Sequence, residues 1–271
     1  MLLSLDSGVS ALEQFQQQLN VIANNIANVN TVGFKSASVN FADTLSQMLG
    51  SNAAGSTQVG TGVTTAGIVN NFASGAVTST GNQSDLAIDG NGFFLVKDPI
   101  SGNSYATQDG AFSVDTSGYL VTSSGMRVQG YSDSGLATLG DIKIDNNGNT
   151  AAMQSYTVGI DGKISVLLGD ANATTITRGQ VLLQNFTNPQ QLLKVGGNLY
   201  SGLALAGPLA APVAPNSNGL GAIISSSLEM SNVDLAQQLT SLITTQRAYE
   251  ANSKVITTSD EILQTLVNLK R

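Results

Sequence analysis

Near the carboxyl end of the chain Leu235, Leu242, Tyr249, Ile256 and Leu263 recur every seven residues, with Leu239 beside them. That spacing draws one narrow apolar line along a long helix predicted over residues 228–271. Gln237, Gln238, Thr244, Thr245, Asn252, Ser253, Thr257 and Thr258 fill much of the remaining surface. The stripe is therefore too narrow for a helix wrapped on all sides by a globular core. Ser231, with Asp234 three residues on, has the spacing of a capping box, and Lys270 and Arg271 lie where the helix dipole favours cations.

A second helix is predicted at the other end, from about residue 4 to residue 28. Leu12, Phe15, Leu19, Ile22, Ile26 and Val29 step by three, four, three, four and three residues, again a heptad seam with a surface of Gln and Asn. The two stripes most simply pack on each other as a coiled coil, parallel or antiparallel. Periodicity alone also fits part of an ordinary monomer's core. Faces of Gln, Asn, Ser and Thr instead suit contact with many identical neighbours, because they accumulate no like charge.

Between the helices the pattern changes. Residues 50–85 are rich in Gly, Ser, Thr, Asn and Val and are expected to form an extended connector with short β-like runs. Over 86–203 short apolar runs such as Phe93-Phe94-Leu95-Val96 and Ile164-Ser165-Val166-Leu167-Leu168 are punctuated by Asp89-Gly90, Asn91-Gly92, Asp109-Gly110, Asn147-Gly148 and Asp161-Gly162. Those pairs are hairpin signals and predict an all-β domain, a sandwich or irregular barrel. Pro208, Pro212 and Pro215 then mark 204–227 as a linker. The predicted architecture is α+β and nested: 1–49 and 228–271 as the helical ends, with the β domain inserted between connectors.

Composition narrows the chemistry. With 11% charged residues, a net charge of −7 and no basic cluster, the chain is a poor candidate for binding nucleic acid. No apolar run approaches the length of a membrane span, and Met1 to Leu5 is followed at once by Asp6, so neither membrane insertion nor a cleaved signal peptide is expected. Cys, Trp and His are absent. This removes thiolate nucleophiles, imidazole bases and the commonest metal ligands, and no enzyme or cofactor is expected. Gly60-Thr61-Gly62 lacks the Lys of a phosphate loop, and Asp145-Asn146-Asn147-Gly148-Asn149 departs from a calcium loop in the place of its Gly and the lack of a closing Glu. Asp85 and Asp89 have no nucleophile between them and are read as solvated turn residues. Asn82, Asn172 and Asn185 begin glycosylation-like triplets short enough to arise by accident.

Three separated segments nevertheless carry recognisable words. The run Asn24-Asn25-Ile26-Ala27-Asn28-Val29-Asn30-Thr31-Val32-Gly33-Phe34-Lys35 strongly resembles the amino-terminal motif of the bacterial flagellar axial proteins, the family of rod, hook and hook-associated subunits. Leu86-Ala87-Ile88-Asp89-Gly90-Asn91-Gly92-Phe93-Phe94 is similar to its β-domain signature. Leu228-Glu229-Met230-Ser231-Asn232-Val233-Asp234-Leu235 and Thr245-Gln246-Arg247-Ala248-Tyr249-Glu250 are similar to its carboxyl-terminal motif.

The resemblance implies a structural subunit, exported without a cleaved signal peptide, that polymerises helically with itself. Its implied partners are neighbouring axial proteins and the export apparatus, and its implied place is the hook or basal body. Local words such as Val39-Asn40-Phe41-Ala42-Asp43 look most like the hook subunit, a tubular joint transmitting torque. Residues 134–178 leave no room for the second β domain typical of hooks, which is the trait of the alternative, a distal rod subunit or drive shaft. A surface adhesin or binding module using the β domain is the more distant reading.

Overall fold

In the computed structural model, residues 2–52, 55–145, 152–170, 174–208, 211–217 and 219–269 are described. The chain divides into two compact units. One consists of Met1–Val29, Ser36–Asn71 and Val233–Arg271, and the other of Asn30–Lys35 and Phe72–Asn232.

The first unit is built on two helices, α1 (Leu2–Ala27) and α2 (Leu235–Leu269). They pack against each other and run antiparallel: a Cβ on Gly8 would sit 3.3 Å from Ile256, while at the other end Asn25 Nδ2 donates to Gln238 Oε1 at 3.2 Å. Ala37–Asp43 pairs with Val63–Asn70 in an antiparallel ladder, bulged between Asn40 and Phe41, and this hairpin lies on α1. Phe41 meets Phe15 edge to face at 6.2 Å, and Thr65 Oγ1 donates to Gln17 Oε1 at 2.8 Å. Farther out Ser46–Asn52 pairs with Gly55–Gly60, so much of the stretch expected as an extended connector is a paired β-ribbon.

α2 begins later than its sequence suggested. Leu228 belongs to a strand, Ser227–Glu229, and the helix starts at Leu235. The cap is Asp234, whose Oδ1 accepts the amides of Ala236 at 2.9 Å and Gln237 at 3.1 Å, in place of the expected Ser231. The shift has a physical reason: Ser227–Glu229 is held in extended conformation by pairing with Val77–Ser79, Asn232 is bonded to Phe34 O and Ala73 O, and Asp234 stands directly before the first helical residue, where its carboxylate reaches the orphan amides. Lys270 and Arg271 lie outside the described residues.

Among its described residues the second unit is all-β apart from one 3₁₀ turn, Pro189–Gln191. Its main sheet runs in the order Met153–Val158, Lys163–Leu168, Thr175–Val181, Arg127–Tyr131, Phe93–Lys97, Ser104–Thr107, Leu199–Ser201, Leu193–Gly196, with short strands attached beside this path. The three strands between 153 and 181 extend the same sheet and form no separate inserted domain. Alternation along the strands fills one core with Leu86, Ile88, Phe94, Val96, Val128, Ile164, Val181 and Ile223. A second cluster gathers Phe93, Phe186, Leu192 and Tyr200, with Phe72 against it.

Two expectations change here. The Pro-rich stretch 204–227 is built into the unit: Ala222–Ser225 pairs with Leu86–Asp89, Ile223 is fully buried, and Val213 and Pro208 bridge to Leu183 and Phe186. Prolines forbid a central strand, yet isolated bridges at an edge need few amides. Asp85, read as solvated, is buried and accepts hydrogen bonds from Thr80 Oγ1 at 2.6 Å and Asn82 Nδ2 at 3.2 Å.

Candidate assembly site

The helical unit buries little by itself. Among the described residues Ile22 is the one large apolar side chain in it that is fully covered. Leu12, Phe15, Leu19 and Ile26 are half-buried along α1, as is Val29 in the turn that follows it. On α2 the seam residues Leu242, Ile256 and Leu263 are half-buried, whereas Leu235 and Leu239 are each 44% exposed and Tyr249 is 37% exposed.

The fully buried positions of α2 are Thr245 and Ser259, which donate to the carbonyls of Ser241 and Val255, both at 2.7 Å. The covered line of α2 runs instead through Gln238, Thr245, Asn252 and Ser259, also at seven-residue steps, so the apolar line flanks the contact face and does not fill it. Hydroxyls bonded to their own helix can sit in that contact without an unsatisfied donor.

α2 also outruns α1. With Gly8 opposite Ile256, its last roughly two turns lie beyond the amino-terminal helix. Leu266, Val267 and Leu269 are exposed there, between 47% and 79%, and Ile262, 51% exposed, stands at the edge of this overhang. Earlier in the helix Leu235, Leu239 and Ile243 form an apolar row at four-residue steps.

The motif residues at the end of α1 have defined tasks. Asn28 Nδ2 donates to the backbone oxygen of Asn24 at 2.9 Å and to its Oδ1 at 3.1 Å, which terminates the helix. Asn25, 1% exposed, exchanges hydrogen bonds with the backbone of Ala37 and so aligns the first strand against the helix.

Within the β unit, residues 30–35, 73–76 and 229–232 converge. Gly33 has φ 65° and donates its amide to Glu229 O at 2.8 Å. Phe34 is buried beneath Lys194 Nζ, 4.8 Å from the ring centroid, and that ammonium donates to Lys35 O at 3.0 Å. Burial holds the Lys194 ammonium below its usual range. Asn232 donates its amide to Phe34 O at 3.4 Å and Nδ2 to Ala73 O at 3.0 Å; Ser231 beside it is half-buried.

Lys35 and Glu229 form an ion pair of 2.7 Å in which each side chain is 1% exposed. Neither was singled out from sequence as a site residue, although Lys35 is the single charge of its motif word and Glu229 one of two in its own.

The other motif residues are spread. Gly90 and Gly92 have φ of 123° and 143°, Phe93 packs in the smaller cluster, Phe94 meets Phe112 at 5.1 Å in the larger one, and Gln246 and Arg247 are exposed on α2. Asp145 is held by Lys143 at 3.2 Å and Arg178 at 2.5 Å, while Asn146 to Asn149 and Asn172 lie outside the described residues. Among the described residues there is no group of three acidic or other metal-ligating side chains, and no helix long and apolar enough to cross a membrane.

Comparison with known proteins bears on this geometry. Residues 5–35 match the model of the flagella basal body rod protein, 87–166 that of the flagellar hook protein FlgE/F/G D1 domain, and 224–269 that of the flagellar basal body rod FlgEFG protein C-terminal region. The flagellar basal-body rod protein FlgG of Bacillus subtilis is 44% identical over 279 aligned residues, covering 100% of both chains. FlgG of Borreliella burgdorferi is 35% identical, again over 100% of each. The flagellar hook protein FlgE of Borreliella burgdorferi is 27% identical over a longer alignment of 444 residues, covering 100% of both.

Among solved structures, the Helicobacter pylori hook protein FlgE2 matches 47% of this chain and 39% of its own at 17% identity, with a TM-score of 0.23, a likeness on which nothing here rests. The full-length identities to rod proteins favour the rod alternative over the hook-type expectation drawn from local words. The three matched segments and the full-length identity to rod proteins establish that this chain belongs to the bacterial flagellar axial family of rod and hook structural proteins.

Proposed function

We propose that this chain is a distal rod subunit, which polymerises helically with copies of itself into the drive shaft of the flagellum. Full-length identity to rod proteins supports rod over hook, and the continuous sheet through residues 153–181 supports the lack of an inserted second β domain.

The observation that carries polymerisation is the apolar overhang of α2. Ile262 stands at its edge and Leu266, Val267 and Leu269 project where α1 no longer covers them, in a unit whose one buried large apolar side chain among the described residues is Ile22. Exposed apolar surface of this extent on a helix asks for a neighbour. A contact in which one end of a subunit meets a different surface of the next is heterologous and propagates into an open helical polymer.

We further infer that α1 and α2 pair as a coiled coil in the assembled tube, that neighbouring axial proteins cap its ends, and that the chain reaches its place by the flagellar export apparatus without a cleaved signal.

The test is electron microscopy of the purified chain under assembling conditions. Straight tubes that disappear when residues 2–27 or 235–269 are deleted are the expected result. Curved tubes would return the chain to the hook. A monomer that never polymerises but keeps a ligand after both deletions would favour an adhesin or binding module.

A further inference from the structure

The strands Val77–Ser79 and Ser227–Glu229 pair antiparallel over three residues, with Ser227 opposite Ser79, Leu228 opposite Thr78 and Glu229 opposite Val77. Little in this small sheet selects that alignment. Val77, Thr78 and Ser79 are all exposed, so a slip along them uncovers no apolar face.

Selection comes instead from Glu229. Its Oε1 accepts from Lys35 Nζ at 2.7 Å and from the Gly75 amide at 2.7 Å, while Lys35 Nζ also donates to Ala73 O at 2.9 Å. Both charges are closed to water. The backbone closes in as well: a Cβ on Gly75 would fall 2.1 Å from Met230 O. In a slipped pairing Leu228 or Met230 would face the Lys35 ammonium, and Glu229 would lose both donors. An unpaired charge in such a place is strongly unfavourable. Apolar side chains of similar volume commonly hold segments together as well as a buried ion pair does, so cohesion alone does not call for charge here.

We propose that Lys35 and Glu229 are positioning residues that lock the register of this strand pair. The lock concerns this unit alone and does not rest on the polymer reading.

The chain has no cysteine, so cross-linking reports register cleanly. Leu228→Cys with Thr78→Cys probes the native alignment, and Leu228→Cys with Ser79→Cys the slipped one in which Met230 takes the place of Glu229. In the otherwise unchanged full-length monomer the native pair should oxidise about tenfold or more in excess of the slipped pair, and in a Lys35→Met, Glu229→Leu background the two yields should approach each other. The apolar double variant should also unfold at or above the wild-type midpoint.

A native-to-slipped ratio unchanged in the apolar background would overturn the lock. So would a double variant that fails to fold, since the pair would then be supplying stability instead of selecting register. Failure of the wild-type chain to form tubes, with the cross-linking result as expected, would count against the polymer reading alone.

Discussion

Asn25 of α1 binds the backbone of Ala37 in both directions, donating from Nδ2 to the carbonyl oxygen at 2.8 Å and accepting the amide at Oδ1 at 3.0 Å. Its side chain does what a neighbouring strand would do, and it is 1% exposed. Asn25→Ala leaves an amide and a carbonyl of Ala37 unpaired, each worth about 1–3 kcal/mol when buried. Thermal dissociation of assembled tubes should shift down clearly in this variant. Asn25→Asp, which keeps the acceptor and loses the donor, should fall between it and wild type; equal melting of all three would show that the Ala37 bonds carry no weight.

Gly33 illustrates a glycine required twice over. Its φ is 65°, and a Cβ there would lie 2.7 Å from Asp109 N and 2.8 Å from Asp109 Cα, both backbone atoms with little room to yield. Gly81 has φ 77° with nothing within 4 Å of its notional Cβ. Gly81→Ala should therefore lose only the left-handed penalty of about 1–2 kcal/mol, and Gly33→Ala distinctly more. Urea unfolding of the two variants checks the order; similar losses would mean the Asp109 backbone moves aside.

How much of this was legible beforehand divides by kind of signal. The helices were readable because a 3.5-residue repeat survives any context, and Asp-Gly and Asn-Gly pairs marked the β region because few other residues make those turns. The start of α2 was misplaced because Ser227–Glu229 is extended only through pairing with Val77–Ser79, a partner far away in sequence. Residues 204–227 looked like a linker for the same reason: Ile223 is buried by strands that no local pattern reveals. Of the site, the motif words pointed to Asn25 and Gly33, while Lys35 and Glu229 were silent because an ion pair of distant residues leaves no periodicity.

Tyr200 gives a pH-dependent limb. It is 2% exposed among Phe72, Phe93 and Phe186, and burial raises its phenol far above the ordinary value of 10.0. The folded state therefore keeps a proton that the unfolded chain releases above that value. Its contribution is fully present below pH 10.0 and is lost as pH rises beyond, by up to about 1.4 kcal/mol per pH unit for one proton. Unfolding free energies of the β unit between pH 8 and pH 11 should decline at the alkaline end, and Tyr200→Phe should flatten that decline. A variant with the same alkaline slope would assign the limb to other groups.

Helix content should depend on assembly. With Ile22 as the fully buried apolar side chain of the helical unit among the described residues, the ordering entropy of two long helices is poorly offset in an isolated subunit. Circular dichroism should show less helix per residue in the monomer than in the tube. Equal content in both states would mean that α1 and α2 hold each other without neighbours.

The two faces of α2 separate folding of the helix pair from joining of subunits. Leu242 and Ile256 are half-buried on the side facing α1, so Leu242→Asp or Ile256→Asp should unseat the pair and abolish tubes while the β unit remains folded. Ile262 and Leu266, 51% and 47% exposed, touch a partner only in the assembled state if the overhang is a subunit contact. Burying either contributes roughly 1.5–3 kcal/mol, so Ile262→Asp or Leu266→Asp should raise the critical concentration for assembly by about tenfold or more with the monomer's unfolding unchanged. Sedimentation of tubes across a concentration series measures this. An unaltered critical concentration in the overhang variants, beside a lost one for Leu242→Asp, would place the subunit contact elsewhere on the helix pair.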